Sequence, residues 1–126
     1  MTRDLNALSP RFKPLAIELL ARFVEAGIHV LIVQTLRTPE EHAANLAKGV
    51  SWTAHSKHLD GDAIDVCPFE VYALHGEDKL QWNVADPVFQ RMAQIGRSLG
   101  LRCGYDWVQK DAGHFEYQAK PSRMVA

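Results

Sequence analysis

Two short runs of the chain hold residue types that could do chemistry together. The first is Ser56-Lys57-His58-Leu59-Asp60-Gly61-Asp62-Ala63-Ile64-Asp65, and the second, far downstream, is Asp111-Ala112-Gly113-His114-Phe115-Glu116. His58, Asp65 and His114 offer two imidazoles and one carboxylate. That ligand set can hold Zn²⁺ and leave a fourth tetrahedral position open for water, so the chemistry implied is metal-assisted hydrolysis. Asp111, just ahead of His114, is a spare carboxylate able to take a proton from the attacking water and pass it to a leaving amine.

Spacing by itself leaves a second reading open. With 6 His and 15 Asp plus Glu in 126 residues, such spacings also arise by chance. The H-E-x-x-H pattern places its histidines on one helix face, whereas this set converges only if the fold joins two distant stretches. The elements around it therefore matter. Gly61 permits the turn that would bring His58 back beside Asp65.

Apolar residues Leu15, Ala16, Leu19, Leu20, Phe23 and Val24 recur at helical spacing over residues 9–26. They predict an amphipathic helix with Ser9 as N-cap, Pro10 just inside and Gly27 as its stop. Residues 30–33 read as a buried strand ending near Leu36. Thr38, Pro39 and Glu41 form a capping-box pattern for a helix through Leu46 that Gly49 closes, with Arg37 at the junction. Residues 49–62 read as a loop feeding a strand over 63–67. Its alternation sets Ile64 and Val66 on one face and Ala63, Asp65 and Cys67 on the other. Weak strands are expected at 72–74 and 80–84. Asp86-Pro87 opens a helix carrying Val88, Phe89, Met92, Ile95 and Leu99 and ending at Gly100, and strands follow at 101–103 and 114–117. This order predicts an α+β fold in one domain over residues 1–126. Its small, mostly antiparallel sheet would carry helices on one face and the zinc site on the open face.

Composition narrows the function classes. Hydrophobic residues make up 47% and charged residues 23%, as in ordinary globular domains, and no apolar run approaches a membrane span. The net charge of −1 comes without a dense basic block, so neither nucleic acid nor membrane insertion is expected. The first residues lack a secretory h-region, which predicts synthesis and retention in the cytoplasm unless something else releases the chain. Cys67 and Cys103 are read as unpaired thiols. Asp60 and Asp62 read as solvated turn residues and His55 as a loop histidine. Trp52, Trp82 and Trp107 read as core or groove aromatics. Glu116 would share a strand face with His114 and could orient it.

The run S-x-H-x-x-G-x-A-x-D followed by D-x-x-H-F-E resembles the zinc D,D-carboxypeptidase and L,D-endopeptidase family. That family includes the VanY-type enzymes and the L-alanyl-D-glutamate peptidases among phage endolysins. Both runs are present in the right order, and a looser likeness extends over residues 31–117. The resemblance implies that His58, Asp65 and His114 bind one Zn²⁺ and that Asp111 is the general base and acid. It further implies that Arg37, in Leu36-Arg37-Thr38-Pro39-Glu40-Glu41, steadies the scissile carbonyl or its oxyanion. Ser56 would bind the substrate peptide or satisfy its own backbone, and Trp107 would line the substrate groove. Three departures stand out. Gln34-Thr35-Leu36 replaces the Ser-Gly-Tyr frequent before that arginine, His42 replaces a frequent Gln, and Cys103 replaces one glycine of a Gly-Gly-x-x-Trp stretch.

What the family cleaves is the stem peptide of peptidoglycan. The acid at position 111, the short chain and the lack of a signal peptide favour a monomeric, endolysin-like hydrolase of the L-Ala-D-Glu bond, acting on the cell wall after release. A D-Ala-D-Ala carboxypeptidase or dipeptidase is the first alternative, and a non-catalytic zinc-containing binding domain the second.

Overall fold

A computed structural model describes residues 2–49, 56–69 and 80–119. Three helices, α1 (Lys13–Glu25), α2 (Pro39–Ala47) and α3 (Pro87–Ser98), accompany four strands, β1 (Val30–Gln34), β2 (Ala63–Pro68), β3 (Arg102–Cys103) and β4 (His114–Glu116). The sheet is antiparallel throughout, in the order β1-β2-β4-β3. The α+β expectation holds. None of the helices among the described residues is long and apolar enough to cross a membrane.

Alternation along β2 and β4 divides the sheet into two faces. Ile64 pairs with Phe115 on one, and Asp65 pairs with His114 on the other. The first face meets Ala16, Leu19 and Phe23 of α1 and Phe89, Met92 and Ala93 of α3 in one buried core, with Phe23 edge-on to Phe115 at 5.7 Å between centroids. Each such Phe or Leu contributes about 1.5–3 kcal/mol when fully buried. α3 lies so close to the sheet that a Cβ at Gly96 would stand 2.8 Å from both Cys103 Sγ and the Phe115 ring. Both cysteines are buried free thiols, and burial pushes Cys103 up to about 12.

Several local expectations need correcting. α1 begins at Lys13, after a turn over residues 10–12 in which Ser9 Oγ still accepts from Phe12 N at 3.3 Å. Among the described residues β1 is an edge strand, with Leu31 44% exposed, since its β-branched run pairs with β2 alone. Leu80 makes an isolated bridge to Phe69 and residues 81–83 form no strand, while 72–74, Trp52 and His55 lie outside the described residues. Trp82 is exposed rather than in the core. Asp62 is buried, not solvated: Ser9 Oγ donates to its Oδ1 at 2.5 Å and Arg11 Nη2 to its Oδ2 at 2.6 Å.

One irregularity bears on the site. Val30, Leu31 and Ile32 pair with Pro68, Cys67 and Val66, but Gln34 pairs with Asp65, so Val33 is an extra residue in β1. Without that bulge Gln34 would oppose Ile64 on the core face. With it, Gln34 shares the face of Asp65.

Candidate metal centre

Each of the three predicted ligands arrives on a different piece of backbone. His58 sits in the 3-10 turn Lys57–Asp60, whose N-cap Ser56 accepts a hydrogen bond from His58 N at 3.2 Å and whose C-cap Gly61 has φ 72°. That left-handed turn is glycine's role here, because a Cβ at position 61 would also stand 2.9 Å from Ser9 N. Asp65 comes from the middle of β2. His114 opens β4, preceded by Gly113, where a Cβ would collide with the Val66 carbonyl oxygen. Among the described residues these three side chains form a cluster able to hold a metal ion, each offering one atom within 4.8 Å of the others.

Hydrogen bonds decide which nitrogens face the centre. His58 Nδ1 lies 3.0 Å from the Thr35 carbonyl, which can only accept, so Nδ1 carries a ring proton and Nε2 is the nitrogen left facing the centre. That Nε2 is buried, lacks a hydrogen-bond partner and lies 3.1 Å from Asp65 Oδ2. A ring nitrogen and a carboxylate oxygen facing each other at that distance suit a cation between them. His114 is different. Its Nδ1 is 2.8 Å from Asp65 Oδ1 and its Nε2 is 2.8 Å from Glu116 Oε1, so both nitrogens donate and the ring is an imidazolium. Burial opposes that charge, but the two carboxylates win and hold the His114 pKa up at about 10. Burial alone would likewise push Asp65 up, yet the imidazoles keep its carboxyl well below the usual carboxylate range. The proton on His114 Nδ1 thus stands where a metal would bind. The donor set fits a metal ion.

Glu116 is the outer partner that the strand pattern anticipated. It is buried with Arg102 Nη1 3.9 Å away, and its bond to Nε2 leaves Nδ1 as the ring atom that a metal would take. Replacing it with alanine should weaken metal affinity about 10–100-fold while the fold survives, as measured by competition with a chromogenic chelator.

Around the cluster stand the remaining candidates. Asp111 Oδ2 lies 3.9 Å from His114 Nδ1, with the side chain 44% exposed. Burial, then the charge of Asp65, raises its pKa. Its loop is seated by Asp111 N donating to Gly104 O at 2.9 Å, where a Cβ would collide with the Asp111 carbonyl. The Trp107 ring lies 5.1 Å from that of His114. Arg37 is tied in by its backbone N, which donates to His58 O at 3.1 Å. Among the described residues, the buried side-chain nitrogens lacking a hydrogen-bond partner are His58 Nε2, Arg37 Nε and Trp107 Nε1. All three belong to this neighbourhood. Ser56 is buried and caps the backbone at His58, the local alternative weighed for it. Thr35 and Gln34 stood out in the sequence only as departures from the family pattern, with no role given: one acts through its carbonyl and the other through a bulge, and neither role leaves a mark in residue type.

Comparison with known proteins identifies the family and the fold. The chain is 32% identical over 105 residues to the L-alanyl-D-glutamate peptidase of Listeria phage A118, covering 82% of this chain and 35% of that protein. It is 39% identical over 84 residues to the L-alanyl-D-glutamate peptidase of Escherichia phage T5, covering 60% and 57%. The chain therefore spans about half the length, or less, of these relatives. Its fold matches the crystal structure of the L-Ala D-Glu endopeptidase ChiX of Serratia marcescens with a TM-score of 0.70 at 21% identity, over 90% of this chain and 83% of that one. The model of the phage L-alanyl-D-glutamate peptidase family matches residues 3–122, so a chain whose site was assembled above from two distant motifs belongs to that family.

Proposed function

We propose that the chain is a single-domain, zinc-dependent hydrolase of the L-Ala-D-Glu bond in peptidoglycan stem peptides, acting on the cell wall as a phage lysis protein does. The observation that carries this reading is the convergence of His58, Asp65 and His114 with Asp111 beside them, in a member of this family. Zn²⁺ held there would supply a Lewis acid that polarises the scissile carbonyl and acidifies water. Asp111, half exposed and with a raised pKa, takes the proton of the attacking water and returns it to the departing amine. Arg37 offers a cation to the oxygen that gains charge, and Trp107 forms a wall of the peptide groove. Ser56 contributes by holding the turn that carries His58.

Mass spectrometry of muropeptides digested by the zinc-loaded chain tests the assignment. Cleavage should expose a new amino terminus at D-Glu and leave L-Ala, with a new carboxyl terminus, attached to the glycan. Release of free D-Ala alone would transfer the reading to a D,D-carboxypeptidase. Intact stem peptides at full zinc occupancy would leave a binding domain.

A further inference from the structure

Arg37 is held in an unusual way for a buried-side guanidinium. Its Nη2 donates to Gln34 Oε1 at 2.7 Å, and its Nη1 lies 3.1 Å from His42 Nδ1. A guanidinium has only donors, so His42 Nδ1 accepts and the ring proton sits on Nε2. Both partners are buried, Gln34 at 6% and His42 at 3% exposure. Both are also neutral acceptors. Most arginines taken out of water are paired with a carboxylate, which would cancel the charge needed at a developing oxyanion. Among the described residues, two of the three guanidinium nitrogens are thus oriented without a carboxylate partner.

The local structure explains how this arises. The bulge at Val33 turns Gln34 to the Asp65 side of the sheet. The capping box of Thr38 and Glu41 fixes the start of α2, and His42 N donates to Thr38 O at 3.0 Å, one turn into the helix. Strand end and helix start therefore present their acceptors to an arginine that lies between them in sequence.

We infer that His42 is a positioning residue, a neutral hydrogen-bond acceptor that aims the Arg37 guanidinium while leaving its charge available to substrate. This rests on the proposed role of Arg37 in peptide hydrolysis. Asparagine and aspartate at position 42 separate the idea from a structural role, because they share size and place an oxygen near the position of Nδ1 but differ in charge. His42→Asn should keep kcat within about threefold of the wild-type chain. His42→Asp should lower kcat about tenfold with KM little changed, since a misdirected or neutralised group at the reacting centre acts on the transition state. In an Arg37→Ala background the two variants should become equal. Equal kcat for Asn and Asp in the otherwise wild-type chain would overturn the assignment, as would the same Asn-to-Asp difference persisting without Arg37. Failure of the wild-type chain to cleave peptidoglycan would instead overturn the functional reading beneath it.

Discussion

Asp111→Asn is expected to keep its metal and lose about a thousandfold in kcat, in the middle of the range for removing a general acid-base. The carboxylate is 44% exposed, and the ligand cluster is complete without it. Asparagine keeps the shape, so the loop seated on Gly104 should be undisturbed. Metal analysis alongside turnover gives the answer. A variant that loses zinc in proportion to activity would make Asp111 a ligand, and one that stays within tenfold of wild type would remove it from the proton path.

The second large effect concerns the metal and its dependence on pH. In the metal-free chain His114 holds a proton on Nδ1 with a pKa of about 10, so binding must expel that proton anywhere below that pH. Affinity should therefore fall about tenfold for each pH unit of acidification per proton released, and calorimetry in buffers of different ionisation enthalpy would count the protons. Asp65→Asn removes both a proposed ligand and the acceptor that steadies His114, and should cost more than the roughly 100-fold typical of outer-shell changes. Without metal the same pair gives the fold a pH signature. His114, raised above its ordinary 6.5, contributes stability that is fully present below 6.5 and lost as pH rises through about 10. Asp65, lowered, contributes above the ordinary carboxylate pKa of 3.8 and loses it as pH falls below that value. The metal-free chain should thus melt highest between those limits. Unchanged affinity from pH 6 to 8 would show that no proton is displaced.

Much of this was legible in residue types because the elements follow local rules. Thr38, Pro39 and Glu41 predicted the start of α2, and Asp86-Pro87 that of α3, since capping depends on neighbours alone. The alternation of β2 placed Asp65 opposite the core side, and the motif runs supplied the three side chains that converge into a cluster able to hold a metal. What escaped depends on tertiary contact. An edge strand and a buried strand share the same β-branched run. A bulge is one residue out of step. Asp62 looks like any turn acid until Arg11 and Ser9 are brought to it from more than fifty residues away. The Thr35 carbonyl has no side-chain signature at all.

That misread aspartate has a meaning for how the catalytic geometry is kept. The link joining His58 to Asp65, two of the proposed ligands, would ordinarily be the softest part of such a centre. Here it rests on a foundation, because Ser9 N also donates to Gly61 O at 2.9 Å and Arg11 stacks 4.5 Å from the Tyr117 ring just past β4. The opening segment of the chain thereby underpins a hinge that could otherwise breathe, and precision at the reacting centre is inherited from residues that never approach it.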